Sequence, residues 1–488
     1  MALLSISRII TLQAERAPDR PAITFAGRTV TRGELDRRTN RLARAYQQLG
    51  VGQDDYVTIA LPNGIEFFEA AIAAWKLGAT PQPVSSRLPK AELDAIVDLV
   101  APRLVVGPPP GVAVAGRSIP AGFEPDAALS DAMLPDRTPT AWKAPTSGGS
   151  TGRPKIIVSG DPGSFDIDVP AHQILPDRTH LIPGPLYHNG PFSFGALALF
   201  FGNHLVVMPR FDAAEALALM AEHRVDWVMM VPTMMLRIWR LDAALRRRHD
   251  LGALRVLLHL AAPCPAWLKQ AFIDWLGAAR VHELYGGTEG QSATWIVGDE
   301  WLAHRGSVGK PLPGSNMKIC DDAGNELPPG EIGEVYMVHD RGVGTTYRYI
   351  GAEPRRRADG WETLGDMGYM DADGYLYLTD RRTDMILRGG ANIYPAEVEA
   401  AIDAHPAVRS SAVIGLPDEE LGNRVHAIVD ATAPVTAEAL KDFLRERLVV
   451  YKVPESFEFV GEPLRDDAGK TRRSALRAAR LADAAKAG

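Results

Sequence analysis

The chain has 488 residues, 46% hydrophobic and 23% charged, which implies about two to four domains of ordinary globular composition and excludes disorder along its whole length. Its 53 Lys and Arg fall short of its 60 Asp and Glu, and the net charge of −7 argues against a general affinity for nucleic acid or acidic membrane. The two cysteines, Cys264 and Cys320, are too few for a disulfide framework or a multi-cysteine zinc site and fit a reducing cytoplasm.

The first apolar run, residues 2–6, is too short for an export signal and is ended by Arg8. Residues 22–25 read as a strand, with a turn at Ala26-Gly27. Thr31-Arg32-Gly33-Glu34 has capping-box spacing, in which hydroxyl and carboxylate satisfy free N–H groups at a helix start. That helix runs to about Leu49, with Leu35, Leu42, Tyr46 and Leu49 on one face and Gly50 at its stop. Residues 56–61 form the next expected strand, Asn63-Gly64 a turn, and 66–77 a second helix closed by Gly78. Such alternation implies parallel pairing and an α/β layer architecture. A Pro/Gly/Ala-rich loop fills 107–120.

The apolar stretch 193–202 spans about ten residues, against the roughly 20 needed to cross a bilayer, so no integral membrane segment is expected. Alternation resumes with strands at 205–208, 227–231 and 256–260 and helices at 213–223 and 234–245. From about Ser307, Gly and Pro become dense and strands shorten, as at 333–337 and 375–378, which implies a more antiparallel, β-rich subdomain. The charged stretch 380–384 precedes about 100 residues with their own strands (411–414, 425–429) and helices (396–404, 437–447), and a domain boundary is expected there.

Five short motifs are candidates for chemistry. Thr146-Ser147-Gly148-Gly149-Ser150-Thr151-Gly152-Arg153-Pro154-Lys155 has the composition of a phosphate cradle: glycines let N–H groups converge, hydroxyls add donors and a lysine closes the loop. It is not a Walker A loop, and as composition alone it equally fits an exposed linker. Glu283-Leu284-Tyr285-Gly286-Gly287-Thr288-Glu289 follows a strand, where α/β folds bind ligands; Tyr285 suits a base, Thr288 a phosphate and Glu289 a hard cation, or the segment is a plain turn. Asp366 suits two ribose hydroxyls or a turn, and Asp371-Ala372-Asp373-Gly374 reads as a hairpin turn. Gly389 and Gly390 precede a helix and would allow a ligand close to the backbone, or the segment is a loop capped by Asn392 or shaped by Pro395. Lys470 follows a glycine near the C-terminus, in what is otherwise a solvated basic tail.

In this order and at these spacings the motifs resemble the adenylate-forming superfamily of acyl-CoA synthetases, peptide-synthetase adenylation domains and luciferases, over essentially the whole chain. Lacking an appended carrier-protein segment, the chain is most similar to a free-standing acid–CoA ligase. The resemblance implies a large N-terminal α/β domain (1–380) of mostly parallel sheets with a β-rich subdomain, a hinge at 381–383 that includes Arg382 and Thr383, and a small mobile α+β domain (384–488). It implies that a carboxylate attacks ATP to give acyl-AMP and pyrophosphate, and that CoA then displaces AMP. ATP, Mg²⁺ and CoA are the implied cofactor and co-substrates, a small carboxylic acid the partner, with no nucleic acid; a homodimer stays open.

By the same resemblance, Thr146 to Lys155 (with Ser147, Gly148, Gly149, Ser150, Thr151 and Gly152) would handle the terminal phosphates, Thr288 the α-phosphate and Glu289 the Mg²⁺. Tyr285, Gly286 and the backbone near Ala261, Ala262 and Glu283 would hold adenine, and Asp366 and Arg381 the ribose. Lys470 would reach the attacking carboxylate, and His188 would gate the acyl pocket and thiol access. Phe192, Gly195, Leu260, Gly287 and some of Met229–Met235 would wall the acyl pocket, and Gly389 and Gly390 the CoA tunnel. Cys264 is expected to be a packing residue.

Departures from the pattern are Gly148 for a hydroxyl residue, Ile156 for Gly, Thr383 at the pivot, Leu260 for Gly and Leu364 for Thr. The Gly-Gly-Ser-Thr-Gly form is similar to that of ligases for bulky, ring-bearing acids. The basic runs Arg246-Arg247-Arg248 and Arg355-Arg356-Arg357 read as solvated faces, one of which would attract the CoA 3′-phosphate. An amide synthetase, a carrier-protein loader and a catalytically silent nucleotide-binding regulator remain as alternatives.

Overall fold

A computed structural model describes residues 3–148, 154–381, 384–388, 391–418, 421–466 and 469–487. Its spine is a 13-stranded sheet. Six of these strands, Val281–Gly286, Val256–His259, Trp227–Met230, Thr179–Ile182, His204–Val207 and Pro21–Phe25, lie side by side in parallel. Beyond Val281–Gly286 the pairing turns antiparallel through Ala293–Val297, Ser307–Pro311, Leu376–Arg381, Asp366–Met370, Gly333–His339 and Ser315–Cys320. The change of texture near Ser307 therefore marks the antiparallel wing of one continuous sheet.

Helices Arg32–Gln48, Ile65–Lys76 and Asn189–Phe200 pack into a core between this sheet and a parallel four-stranded sheet of Thr80–Pro83, Tyr56–Ile59, Leu104–Val106 and Ser118–Ile119. Helices Ala213–Glu222, Pro232–Trp239 and Ala266–Leu276 cover the other face through a second core. From Ile386 onward a third core, with Val398, Val413, Val425 and Leu440, lies between helices Pro395–Asp403 and Ala437–Arg445 and the strands Val408–Asp418, Gly422–Ala431 and Ser456–Val460.

The capping box forms as its spacing requires: Thr31 Oγ1 accepts from Glu34 N–H, and Glu34 accepts from Thr31 N–H. The expected helix 234–245 is two helices, Pro232–Trp239 and Ala243–Arg248, because Asp242 caps Ala244 and Leu245 and restarts the chain. Helix Asn189–Phe200 is buried on almost every side, so it lacks the 3.6-residue polar stripe that would announce it. Residues 107–120 are loop except for Ser118–Ile119. The stretch after Lys470, expected as a solvated tail, is largely the helix Arg473–Ala487.

In the arginine runs Arg247, Arg248, Arg355 and Arg356 are exposed, in keeping with solvated faces. Arg355 pairs with Glu334 (2.9 Å), Arg356 with Glu362 (2.6 Å) and Arg357 with Asp359 (3.2 Å), while Arg246 lies 3.8 Å over the Trp239 ring. Among the described residues no helix is long and apolar enough to cross a membrane.

Candidate active site

The site is built at the carboxyl ends of the parallel strands, where the sheet switches from parallel to antiparallel pairing. Strand Val281–Gly286 delivers Tyr285 and then Gly287, Thr288 and Glu289. The Tyr285 hydroxyl donates to Asp366 Oδ2 at 2.7 Å, across 81 residues of sequence. Asp366 is in turn the cross-strand partner of Arg381, so the two expected ribose residues meet at one rung of the ladder. Glu283 keeps its carboxylate buried on Lys269 (2.6 Å), and its backbone lies in the ladder between His259 and Ile296. Ala261, just past strand Val256–His259, has φ 76°, a left-handed conformation costly for a residue with a Cβ.

The expected phosphate loop springs from a hairpin: Thr146 pairs with Ile156, Ser147 with Lys155 and Gly148 with Pro154. Gly149, Ser150, Thr151 and Gly152 lie outside the described residues. The Thr146 hydroxyl accepts from Gln82 Nε2 at 2.5 Å, which leaves its own proton to donate, and Gln82 is itself bonded to Thr58. Ile156, the residue in place of Gly, is fully buried in the hairpin's core side. Lys155 Nζ donates to Glu289 Oε1 (3.2 Å) and to the Tyr349 hydroxyl (2.9 Å), and Tyr349 donates to the same Glu289 oxygen at 2.5 Å. The sequence reading missed Tyr349. Its strand Tyr347–Ile350 pairs with Pro154–Ser159, which carries Lys155, and the i, i+2 tyrosines were the available signal. Burial and the Glu289 carboxylate push the Tyr349 phenol far above its ordinary range, so it stays a donor.

Glu289 is 6% exposed, and among the described residues no group of three or more His, Cys, Asp or Glu could hold a metal. A single carboxylate beside the expected phosphate loop suits Mg²⁺, which is commonly bound through one or two carboxylates and substrate phosphates, so Glu289 would hold it.

A Cβ on Gly190 would lie 2.9 Å from Met229 Sδ and 3.7 Å from Leu260, so the start of helix Asn189–Phe200 closes against both. Gly287 lies under Leu364, where a Cβ would come within 2.6 Å of Leu364 Cδ1. Two expected wall residues sit in the core instead. Phe192 is 0% exposed and stacks on Trp75 (5.8 Å) and Trp142 (6.3 Å), and Gly195 is the contact point of its helix with Phe68. Met230 and Met235 are likewise buried in the second core. The Cys264 thiol is held in burial that pushes its pKa upward, as a packing residue requires.

His188 is half-buried at the cap position of helix Asn189–Phe200, its ring 4.2 Å from that of Tyr187. One residue on, Asn189 Oδ1 accepts from Lys143 Nζ at 2.6 Å, and Ser193 Oγ accepts from it at 2.7 Å. Sequence reading passed over Lys143, three residues ahead of the phosphate loop.

Lys470 is exposed on a turn in which its N–H bonds Asp466 (2.9 Å). Gly469, at φ 74°, presses against Val231 and Thr233, the residues that leave strand Trp227–Met230 at its carboxyl end. Arg240 adds a second contact between the third core and the large sheet region by donating to the carbonyls of Val408 and Arg409. The expected hinge residues Arg382 and Thr383 and tunnel residues Gly389 and Gly390 lie outside the described residues.

Residues 10–348 match the family model described as AMP-binding enzyme, and residues 397–470 the one described as AMP-binding enzyme C-terminal domain. A feruloyl-CoA synthase of Amycolatopsis is 33% identical over 489 residues, covering 95% of this chain and 97% of that protein. A 2-succinylbenzoate–CoA ligase of Bacillus licheniformis is 31% identical, covering 95% and 98%. The structure of o-succinylbenzoate coenzyme A synthetase from Bacillus subtilis with ATP and magnesium ion superposes with a TM-score of 0.81 at 26% identity, covering 96% of this chain and 98% of that one.

Proposed function

The chain belongs to the AMP-binding enzyme family, and from that premise we propose that it is an AMP-forming acid–CoA ligase in which the residues just described carry out the two half-reactions. In the first, a substrate carboxylate oxygen bonds to the α-phosphorus of ATP as the bond to pyrophosphate breaks. In the second, the CoA sulfur bonds to the acyl carbon, AMP leaves with the carbon–oxygen bonding pair, and the thiol gives up its proton.

The first step crowds a carboxylate against a triphosphate, and preset donors are what lower its barrier. Lys155 and Thr288 bind phosphate oxygens, Lys470 the attacking carboxylate, and Tyr285 with Asp366 orients the nucleoside. Magnesium, held by Glu289, supplies further neutralising charge when bound. Lysine at 470 is a mobile point charge on a turn of the small domain, so rotation of residues 384–488 about 381–383 withdraws it and opens a path for the thiol. His188 borders that path. We place the reaction in the cytoplasm, as two unpaired-by-disulfide cysteines accord with.

The observation that supports this reading most is the seating of the Gly469–Lys470 turn on Val231 and Thr233, at the same edge of the sheet that carries Thr288 and Glu289. The test is a panel of carboxylic acids with ATP and magnesium, assayed for pyrophosphate and AMP with CoA, with amines and with a phosphopantetheinylated carrier protein in turn. Acyl-CoA formation with CoA as preferred acceptor is expected. Preference for an amine or the carrier would move the assignment to those acceptors, and silence with every acid would overturn it.

A further inference from the structure

Lys143 is a half-buried lysine with no role in the chemistry described above. It follows Trp142 in the segment leading to the phosphate loop, and its ammonium lies 4.4 Å over that indole. Two of its three N–H donors go to neutral oxygens, Asn189 Oδ1 at 2.6 Å and Ser193 Oγ at 2.7 Å. Among the described residues no carboxylate lies within ion-pair distance of it; Asp161, whose charge reaches it, is bound at 2.5 Å to Arg341. Enclosure by protein pulls its pKa down to about 7, the expected result for a lysine taken out of water without a counter-ion. Yet Lys143 and Asn189 keep part of their surface open, as groups lining a cleft do.

Asn189 and Ser193 belong to the helix whose first residues, next to His188, are expected to border the acyl pocket. Asn189 lies between His188 and Gly190, and Gly190 touches Met229 and Leu260. A lysine that is desolvated, held by two neutral oxygens and left with one N–H is a receptor short of an anion. An anionic group of the substrate, arriving beside it, would supply the missing charge and repay the desolvation.

Resting on the ligase reading above, we propose that Lys143, with Asn189 and Ser193, binds a second carboxylate on the substrate acid, so that the enzyme selects dicarboxylic over monocarboxylic acids of the same skeleton. Lys143 here is a specificity residue: it touches the remote end of the acid and takes no part in bond making.

The test is calorimetric binding of matched pairs, benzoate against terephthalate and octanoate against octanedioate, to the full-length protein with a non-hydrolysable ATP analogue. The readout is the ratio of dissociation constants within each pair. Wild type is expected to favour a diacid at least 10-fold in one pair or both, as a charge-assisted contact allows. Lys143→Met should bring that ratio towards one, and Lys143→Arg should retain much of it. Asn189→Asp, which places a carboxylate permanently beside the ammonium, should also abolish it, and it keeps the test decisive if the methionine variant folds poorly. A wild-type ratio near one in both pairs, or a preference that survives both Lys143→Met and Asn189→Asp, overturns the proposal. The ligase reading is judged separately by AMP release: acyl-CoA formation without diacid preference sinks only the Lys143 assignment, and diacid preference without any AMP release sinks only the ligase reading.

Discussion

Lys155 and Glu289, 134 residues apart in sequence, face each other at 3.2 Å with the Tyr349 hydroxyl bonded to both. The lysine that closes the expected phosphate loop and the carboxylate expected to meet magnesium thus pair with each other. If ATP and magnesium bind as proposed, each would exchange its partner for an ion of the same sign, and neither would be left buried and unpaired.

Tyr349 donates the bond that keeps Glu289 oriented during that exchange. Tyr349→Phe should raise the magnesium concentration needed for half-maximal rate and lower kcat/KM about 10- to 100-fold, the worth of a hydrogen bond to a charged group. Titration of pyrophosphate release against magnesium checks this, and Glu289→Gln should be the more damaging of the two. An unchanged magnesium requirement in Tyr349→Phe would remove the tyrosine from the site.

Gly469 seats the Lys470 turn at φ 74°, a conformation strained for any other residue, and an added Cβ would come within 3.0 Å of Thr233 Oγ1 and 3.3 Å of Val231 Cγ2. Gly469→Ala should therefore slow acyl-AMP formation, by roughly 10-fold for 1–2 kcal/mol of strain, while sparing thioester formation from supplied acyl-AMP. Lys470→Ala should show the same asymmetry more strongly. Equal damage to both half-reactions would contradict a small domain that engages for one step only.

Phe192 stacks between Trp75 and Trp142 in the core. Phe192→Ala should cost about 3–5 kcal/mol of stability through cavity formation, read as a lowered urea midpoint. A variant of wild-type stability with an altered choice of acid would instead return Phe192 to the pocket wall.

His180 and His259 are fully buried, and burial lowers their pKa to about 3 and about 4. A histidine whose folded pKa is depressed leaves stability intact above its unfolded value of about 6.5 and takes it away as pH falls from there towards the folded value. Each should remove up to about 1.4 kcal/mol per pH unit in that window, so the thermal midpoint should fall steadily from pH 6.5 to 4. His180→Gln should flatten the slope if it folds, and a midpoint constant over this range would refute the burial argument.

Much of the site was legible in sequence because its chemistry is local. Glycine turns, hydroxyls and single acids at strand ends occupy short contiguous motifs, and the capping box and strand–helix alternation follow from backbone rules that act within a few residues. Where distant segments meet, sequence had no purchase. Tyr349 on Glu289, Tyr285 on Asp366 and Lys143 on Asn189 are contacts across 60, 81 and 46 residues, and no periodicity encodes them. Nor does a helix buried on all sides reveal which residues face ligand and which face core, because both are apolar; only packing against Trp75, Trp142 and Phe68 moved Phe192 and Gly195 inward. Sequence, then, determined the kinds of groups available and their local geometry. The tertiary structure alone decided which charges stand opposed and which lysine has no counter-ion among the described residues, since electrostatic partnership depends on distance in space and on exclusion of water.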